Sequence, residues 1–498
     1  MAAVTLSGML AAEAAALAAG WTEERLLDLA GTRLGCALGR FFPNPGTCVG
    51  YLGKGHNAGD TLVAMRVLRD QFGWKIAARN AFPIEDCAPL THRKWQELGL
   101  DAPLDQAPAW RDLEGPLVLL DGLLGSGSTG TLREPLLALA AEIEWLRQHA
   151  GARVAAVDLP SGIDADSGLS PPGSVTADIT FMIGNAKRGL LAGHAANAAG
   201  ALALIPLDAL TAHGTGEIEL IAPQTLEIAK SPRPFDFHKG MAGRVAVLAG
   251  SEKYPGAAVL AATGALRGGA GLITLHVPHQ AAAMIAAKCP PEIIVRGYAS
   301  PGELLNSDCD SLVVGCGIGE VDAATAESLL DVIANSPAPA VIDADALNLI
   351  AKSGRTGILA ERHVITPHPG EFHRLAPDLA GLPREMAART FADRNPASLL
   401  LKGCRTLVTR SGQPLWCNAT GNPGMATGGQ GDLLAGVIGA RLASGEIPLE
   451  AAALAAWLCG RAAEIAVTES GLSAESLTPS DVARHLGNAF LDWQGSRR

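Results

Sequence analysis

The chain has 498 residues, 48% of them hydrophobic and 18% charged, and its 39 Lys and Arg against 50 Asp and Glu give a formal net charge of −11. This composition excludes a disordered protein and predicts two or three globular domains, and the acidic balance makes nucleic acid an unexpected partner. Nine scattered cysteines without a C-x-x-C pair favour neither a zinc site nor a disulfide framework, so a reducing, cytoplasmic location is expected.

The Ala-rich start of the chain, residues 1–20, predicts an amphipathic helix over about 6–19 rather than a signal peptide. It has no basic n-region, and Glu13 interrupts its apolar run. A second helix is predicted over 22–38, with Thr22 at its start. No stretch reaches the roughly eighteen uninterrupted apolar residues that a spanning helix requires, so no membrane partner is expected.

After these helices the first half alternates strands and helices, which predicts a parallel sheet flanked by helices. Ligands of such sheets bind beyond the carboxyl ends of the strands, so the loops at those ends are the candidate sites. Three such loops, 53–60, 121–130 and 158–164, contain glycines that allow a close approach to a phosphate. Strands are expected at 47–52, 75–78, 117–120, 154–157, 179–183 and 202–205, and a helix at 60–72.

Each of the three loops also carries a short side chain with an oxygen atom. These are Asn57, Asp121 and Ser161. Together they could hold a group-I or group-II cation through hard oxygen ligands. Taken singly, each could instead cap the helix that follows its strand, so the sequence leaves both interpretations open.

The three loops resemble signatures of one family. Gly-Lys-Gly-His-Asn-Ala-Gly-Asp at 53–60 is similar to the Gly-x-Gly-Asn-Asn-Gly-Gly-Asp signature of the YjeF N-terminal domain, the NAD(P)H-hydrate epimerase family. Asp121 with its Gly-Ser-Gly loop, and Val-Asp-Leu-Pro-Ser-Gly at 157–162, match two further signatures. The resemblance implies a Rossmann-like domain that interconverts the two epimers of hydrated NADH or NADPH, with a potassium ion near the site.

The resemblance also implies roles for individual residues. It assigns the potassium ion to Asn57, Asp121 and Ser161, and an acid/base role to Asp158. The implied substrate contacts are His56, Asn57, Ala58, Gly59, Asp60, Gly125, Ser126, Gly127, Ser128, Thr129, Gly130, Thr131 and Asp158. His56 and Ala58 depart from the signature, and Leu-Asp-Leu-Ala-Gly at 27–31 replaces the usual Met-Glu-Asn-Ala-Gly. A non-catalytic binding domain, as in some eukaryotic RNA-decapping factors, is therefore the alternative.

The second half begins after an irregular stretch, 218–238, that contains three prolines. The predicted domains are therefore 1–225 and 226–498. A strand at 244–248 opens another α/β series, and late helices at 449–468 and 479–491 are expected to cover its sheet.

Strand ends in the second half carry acidic and basic side chains. Asp343, Asp345 and Glu371 could hold a magnesium ion, or could satisfy neighbouring N–H groups. His368 lies between two prolines, which favours a rigid loop and a substrate contact. Lys402, which follows an apolar strand, could approach a nucleotide phosphate or lie on the surface.

The stretch 421–432, Gly-Asn-Pro-Gly-Met-Ala-Thr-Gly-Gly-Gln-Gly-Asp, precedes an apolar helical run at 433–442. Its small residues leave backbone N–H groups uncovered at a helix start, which predicts an anion cradle, although a structural turn is the alternative. Asp432 would lie in the first helical turn, where a carboxylate can accept a proton from a substrate hydroxyl. No Lys-Ser or Lys-Thr follows, so this is not a Walker loop.

From His238 onwards these motifs together resemble the ADP-dependent NAD(P)H-hydrate dehydratase, the YjeF C-terminal domain of the ribokinase-like fold. The whole chain thus resembles the bifunctional NAD(P)H-hydrate repair enzymes, with hydrated NADH or NADPH and an adenine nucleotide, ADP or ATP, as ligands, Mg²⁺ as cofactor and a homo-oligomeric assembly expected. A ribokinase-like small-molecule kinase is the alternative. The implied contacts are Ala257, Gly317, His368 and Asp432 for the hydrate, with Asp432 on the reacting hydroxyl, and Lys402, Gly403, Cys404, Arg405, Thr406 and Gly431 for the nucleotide.

Overall fold

The structure is a computed structural model that describes residues 3–127, 130–210, 218–226, 228–229 and 233–495. The chain divides into two compact units, Met1–Ile218 and Glu219–Arg498. The predicted domain boundary at 225–226 lies close to this division.

Six parallel strands form the sheet of the first unit, in the order β2-β1-β3-β4-β5-β6. The strands are β1 (Thr47–Leu52), β2 (Lys75–Asn80), β3 (Leu117–Gly122), β4 (Arg153–Val157), β5 (Ile179–Gly184) and β6 (Ala201–Pro206). The helices are α1 (Leu6–Ala18), α2 (Glu23–Phe41), α3 (His56–Phe72), α4 (Pro89–Leu98), α5 (Leu136–His149) and α6 (Ala196–Ala199). The strand order reverses between β1 and β3, and a ligand crevice is expected at the carboxyl ends of the strands beside that reversal.

Helix α3 begins earlier than the sequence predicts. It starts at His56 instead of residue 60, so Asn57, Ala58 and Gly59 form its first turn and are not part of a loop. Gly59 lets α2 pack closely against this first turn, because a Cβ there would lie 2.6 Å from Leu27 of α2. The other predicted strands and helices of this unit are found within about three residues of their expected ends, the largest difference being the end of α2 at Phe41 instead of residue 38.

Ten strands form the sheet of the second unit, in the order β10-β9-β8-β11-β12-β13-β14-β15-β16-β7. The strands are β7 (Ile218–Leu220), β8 (Arg244–Leu248), β9 (Leu272–Pro278), β10 (Ile293–Tyr298), β11 (Ser311–Val314), β12 (Ala340–Ile342), β13 (His363–Ile365), β14 (Ser398–Leu401), β15 (Thr406–Thr409) and β16 (Leu415–Asn418). The pairs from β10 to β14 are parallel, whereas β14, β15 and β16 pair antiparallel. The predicted α/β fold class is therefore confirmed in both units.

Nine helices among the described residues accompany this second sheet. They are α7 (Pro255–Arg267), α8 (Ala282–Ala286), α9 (Ala323–Asn335), α10 (Ala344–Ser353), α11 (Pro369–Leu375), α12 (Arg384–Arg394), α13 (Gln430–Ala443), α14 (Pro448–Thr468) and α15 (Pro479–Trp493). Of the described helices, α14 alone has the length and apolarity of a membrane span. Most of it is buried in the hydrophobic core of the second unit, as in the central helix of a globular domain.

Helices α7 and α13 touch through their backbones. A Cβ at Gly436 would lie 1.9 Å from the carbonyl oxygen of Ala261, and one at Gly264 would lie 2.2 Å from that of Leu433. Since contacts this short exclude any side chain, glycine at both positions lets the two helices approach. The contact fixes the start of α13, where Asp432 lies.

Replacing Gly436 with Ala is therefore expected to destabilise the protein by about 1–3 kcal/mol, because the new methyl group would overlap the Ala261 carbonyl. Gly487 of α15 is the matched control, since a Cβ there meets nothing within 4 Å. Alanine at Gly487 should stabilise the protein by up to about 1 kcal/mol through its higher helix propensity. Urea unfolding of both variants measures the difference, and equal midpoints would contradict the close helix contact.

Candidate active sites

Two of the three predicted cation ligands of the first unit, Asn57 and Ser161, bind the backbone of Leu124, and the third, Asp121, binds Ser161. The Ser161 hydroxyl donates to Asp121 Oδ1 at 2.6 Å, and the Ser161 N–H donates to Oδ2 at 2.7 Å. Leu124 donates its N–H to Ser161 Oγ at 2.9 Å, and its carbonyl accepts from Asn57 Nδ2 at 2.9 Å. A buried carboxylate, a hydroxyl and a carbonyl thus offer the hard oxygen atoms that a potassium ion prefers.

Burial dominates the electrostatics of Asp121. Its side chain is fully buried, and this raises its pKa to about 6, although the hydrogen bonds from Ser161 oppose the shift. A bound cation would stabilise the ionised Asp121 carboxylate against the cost of its burial. Binding of a cation beside Asp121 is therefore favourable.

Asp158 forms a buried ion pair with Lys187, a residue that the sequence analysis did not identify. Lys187 is 2% exposed, and its ammonium group contacts Asp158 Oδ1 and donates to the Ile183 carbonyl at 2.7 Å. The same Oδ1 accepts from the Ile183 N–H at 3.1 Å. Asp158 adopts a left-handed φ of 71°, which is uncommon outside glycine and marks a backbone held in place by its surroundings.

Val4 and helix α1 pack beside this ion pair, and α1 places Glu13 close to it. Val4 forms a parallel bridge with Lys187, which fixes the start of α1. Met9 of α1 is buried, and Glu13, four residues later, lies on the same helix face. Burial and the neighbouring Asp158 raise the pKa of Glu13, while Lys187 opposes them. In the sequence Glu13 interrupts an apolar run, and a single acid in an apolar helix is the signal that could identify it.

The other predicted substrate contacts of the first unit differ in burial and in their distance from Asp158 and from the predicted cation ligands. Burial and Asp158 raise the pKa of Asp60 well above its usual range. A Cβ at Gly125 would lie 3.2 Å from Asn57, so this glycine touches the cation cluster. His56, Gly127, Gly130 and Thr131 are exposed, Ser126 is half-buried, and Ala58 and Gly59 are buried. Ser128 and Thr129 lie outside the described residues.

In the second unit Asp432 lies in the first turn of α13, as predicted. Cys316, Asp343 and Asp432 each place one ligand atom within 4.8 Å of the others. Burial raises the pKa of Asp432 to about 7, and the carboxylate of Asp343 contributes to the shift. A carboxyl group that titrates near neutrality is suited to take up and release a proton at physiological pH.

Lys402 binds the neighbouring carboxylate. Its ammonium group donates to Asp343 Oδ1 at 2.7 Å and lies 3.8 Å from Glu371 Oε2. The side chain is 19% exposed, which rules out the alternative of a surface lysine. Burial opposes its charge, but the two carboxylates outweigh burial and raise the pKa of Lys402. A Cβ at Gly431 would lie 3.3 Å from Lys402 Nζ, so these two predicted nucleotide contacts are neighbours.

His368 contacts Glu371, and the three predicted magnesium ligands are held by different partners. The His368 N–H donates to Glu371 Oε2 at 2.8 Å, and the Nδ1 atom of its ring accepts from the Gly370 N–H at 3.0 Å. The imidazole therefore caps α11, while its side chain stays 52% exposed for a ligand. Asp345 accepts from the Gly319 N–H at 2.8 Å, whereas Asp343 and Glu371 both approach Lys402.

The remaining predicted contacts lie in two separate parts of the second unit, one for the hydrate and one for the nucleotide. A Cβ at Gly317 would lie 2.6 Å from that of Ala257, so these two substrate positions touch. Gly403 and Cys404 are exposed in the turn between β14 and β15, and Thr406 Oγ1 donates to the Gly403 carbonyl at 2.9 Å. The Arg405 guanidinium instead donates inwards to the Ala419 carbonyl, and burial lowers its pKa. A ligand contact at Arg405 would thus involve its backbone.

Comparison with known proteins places both halves in described families. The family described as NAD(P)H-hydrate dehydratase matches residues 245–486, and the one described as YjeF-related protein N-terminus matches residues 13–189. A bifunctional NAD(P)H-hydrate repair enzyme of Gloeobacter violaceus is 36% identical, over 93% of this chain and 94% of that protein. Its counterpart in Hyperthermus butylicus is 33% identical, over 88% of this chain and 83% of that protein.

Two solved structures are similar to the second half. A ribokinase-like superfamily protein of Enterococcus faecalis is 26% identical over 57% of this chain and 99% of that chain, with a TM-score of 0.49. An ADP/ATP-dependent NAD(P)H-hydrate dehydratase of Bacillus subtilis, co-crystallised with ATP and Mg²⁺, is 27% identical over 53% of this chain and 94% of that chain, with a TM-score of 0.45.

Proposed function

The chain belongs to the family of bifunctional NAD(P)H-hydrate repair enzymes, and on that premise we propose which of its residues carry each reaction. The enzyme repairs hydrated NADH and NADPH by epimerising the R and S hydrates and dehydrating the S hydrate. We assign epimerisation to residues 1–225 and nucleotide-dependent dehydration to residues 226–498.

The dehydration needs a nucleotide because hydroxide is a poor leaving group. The hydrate carries a hydroxyl at C6 of the nicotinamide ring. Transfer of a phosphoryl group from ADP or ATP to this hydroxyl releases its proton and makes a phosphate ester. The phosphate then leaves with a proton from the neighbouring ring carbon, which restores the C5–C6 double bond and yields NAD(P)H.

Asp432 would accept the proton of the C6 hydroxyl during phosphoryl transfer. The observation that carries this assignment is its position in the first turn of α13, beside the glycine-rich backbone that would hold the phosphoryl group. Burial at this position raises the pKa of Asp432 to about 7. Lys402 would bind the phosphates of the nucleotide. Asp343 offers oxygen atoms for Mg²⁺, which when bound would offset the phosphate charge. The hydrate would contact Ala257, Gly317 and His368, and the nucleotide Gly403 to Thr406 and Gly431.

For epimerisation, Asp158 would accept the C6 hydroxyl proton as the C6–N1 bond breaks, which leaves an aldehyde at C6 and the electron pair on N1 and its conjugated carboxamide. Attack of N1 on the opposite face of the aldehyde would then close the ring with C6 inverted, and Asp158 would return the proton to the oxygen. Lys187 supports this role because it holds the carboxylate in one position. We propose that Asn57, Asp121 and Ser161 bind a potassium ion, and that the loop 125–131, with residues 56–60, contacts the nicotinamide nucleotide. The cluster of oxygen atoms around Leu124 supports the cation.

We further propose a cytoplasmic homo-oligomer. The outer face of α1 supports assembly, because Leu10 and Leu17 are 55% and 40% exposed among alanines that are also exposed. The nine cysteines are free thiols, which suits a reducing compartment.

A single assay tests both reactions. Purified protein receives NADPH hydrate as a mixture of epimers, with ADP or ATP and Mg²⁺, in either potassium or tetramethylammonium buffer, and the absorbance of NADPH is followed. Complete recovery in potassium, faster than spontaneous epimerisation allows, is the expected result. If NADPH forms only from the S epimer and its recovery then stops, the first domain does not catalyse epimerisation. No nucleotide-dependent recovery would favour the small-molecule kinase.

A further inference from the structure

Arg384, the first residue of α12, holds the turn between β14 and β15 by its carbonyl groups. Its guanidinium donates to the carbonyls of Leu401 at 2.7 Å, Lys402 at 3.0 Å, Cys404 at 2.8 Å and Arg405 at 2.8 Å. We call residues 402–406 the nucleotide loop. One side chain thus anchors four carbonyls in and beside this loop, three of which belong to residues proposed to bind the nucleotide.

These bonds determine which way the amides of the loop face. In a trans peptide the carbonyl of one residue and the N–H of the next point in opposite directions. With the Lys402 carbonyl turned towards Arg384, the amide of Gly403 faces away from it. Gly403 and Cys404 form the exposed rim of the loop. The loop therefore directs the backbone amide of Gly403 to the exposed side, where a phosphate can approach.

The backbone of the loop needs such support. Gly403 has a φ of 146°, and Arg405, which is not a glycine, has a left-handed φ of 57°. A Cβ at Gly403 would lie 3.0 Å from Nη2 of Arg384, so the loop is wrapped closely around the guanidinium. Conformations of this kind persist where surrounding contacts over-determine them, and here Arg384 provides those contacts.

The positive charge of Arg384 lies next to the nucleotide loop and is not neutralised by a described carboxylate. In the part of the chain that the structure describes, its hydrogen bonds go to carbonyls and no carboxylate forms an ion pair with it. The charge of Arg384 is therefore available to attract an anion bound on the opposite face of the loop.

We propose that Arg384 is a positioning residue for the nucleotide: it shapes the loop so that its amides bind a phosphate of ADP or ATP, without touching that phosphate itself. This inference rests on the proposed binding of the adenine nucleotide at residues 402–406. A purely structural role would weaken the binding of both substrates, whereas this role predicts weaker binding of the nucleotide alone.

The test compares Arg384→Ala and Arg384→Lys with Arg394→Ala, a control on the same helix whose arginine pairs with Asp378 on the surface. Equilibrium binding of ADP and the KM for each substrate are measured. Arg384→Ala is expected to raise the Kd and KM for the nucleotide about tenfold or more, while kcat and the KM for the hydrate change by less than about threefold. Arg384→Lys should lie between, and Arg394→Ala should behave as the wild type.

Chemical rescue separates positioning from folding. In Arg384→Gly, millimolar guanidinium ion should lower the nucleotide KM again without changing that of the wild type. Wild-type ADP affinity in Arg384→Ala would overturn the inference, as would a parallel rise of both KM values with a lower Tm and no rescue. If the wild type itself binds no ADP, the proposed nucleotide site fails instead, so the two failures are distinguishable.

Discussion

Replacing Asp432 with Asn is expected to lower kcat for dehydration by about 10²- to 10⁴-fold, because the amide cannot accept the proton of the substrate hydroxyl. Binding of ADP should change little, since Lys402 is bound to Asp343 and not to Asp432. Asp331→Asn, at an exposed position on α9, is the control and should keep wild-type activity. Stopped-flow or steady-state recovery of NADPH from the S hydrate measures kcat. Turnover near the wild-type rate in Asp432→Asn would refute the assignment.

The pH dependence of the wild type tests the same carboxyl group. Burial raises the pKa of Asp432 to about 7, so the group is protonated and unable to act as a base below that pH. The rate of dehydration should therefore rise as the pH increases through about 7 and level off above it. An ordinary carboxyl group, with a pKa near 4, would give a flat profile between roughly pH 5.5 and 8.5. The residual rate of Asp432→Asn should lack the rise.

Replacing Lys187 with Met is expected to abolish epimerisation and to destabilise the protein by about 3–5 kcal/mol, because it leaves the buried Asp158 carboxylate without its partner. Chemical unfolding measures the free energy, and the assay with mixed epimers measures the isomerase. Dehydration of pure S hydrate by the same sample is the internal control, and it should continue wherever the protein remains folded.

The double variant Lys187→Met with Asp158→Asn separates stability from chemistry. Removing both charges leaves no unpaired ion, so much of the lost stability should return while epimerisation stays absent. If the double variant is as unstable as Lys187→Met, the lost stability does not come from the unpaired Asp158 carboxylate. A Lys187→Met variant with wild-type epimerisation would show that the reaction does not need Lys187 to hold Asp158 in place.

Features that depend on neighbouring residues could be predicted from the sequence. Strand β1 is a run of apolar residues bounded by glycine, and its predicted ends at Thr47 and Leu52 are the observed ones. The position of Asp432 follows from the glycines before a helical run, and the structure has it in the first turn of α13. In both cases local periodicity and backbone preference decide the outcome.

Features that depend on contacts between distant residues could not be predicted in this way. Lys187 reaches Asp158 across 29 residues, and Arg384 reaches the Lys402 carbonyl across 18. Neither residue belongs to a local pattern, so only the folded chain reveals its partner. The close packing of α2 on the first turn of α3 is a further contact of this kind, since it depends on Gly59 facing Leu27, which lies in a helix earlier in the chain.

The backbone contact between α7 and α13 has a consequence for how this enzyme can change its sequence. Helix α7 carries Ala257 and α13 carries Asp432, and the two helices meet through Gly264 and Gly436. Because atoms of the main chain touch there, the spacing between substrate contact and reacting carboxylate does not depend on the volumes of the surrounding core side chains. Those side chains can therefore drift over evolutionary time while the catalytic spacing is inherited unchanged, provided that the two glycines are kept.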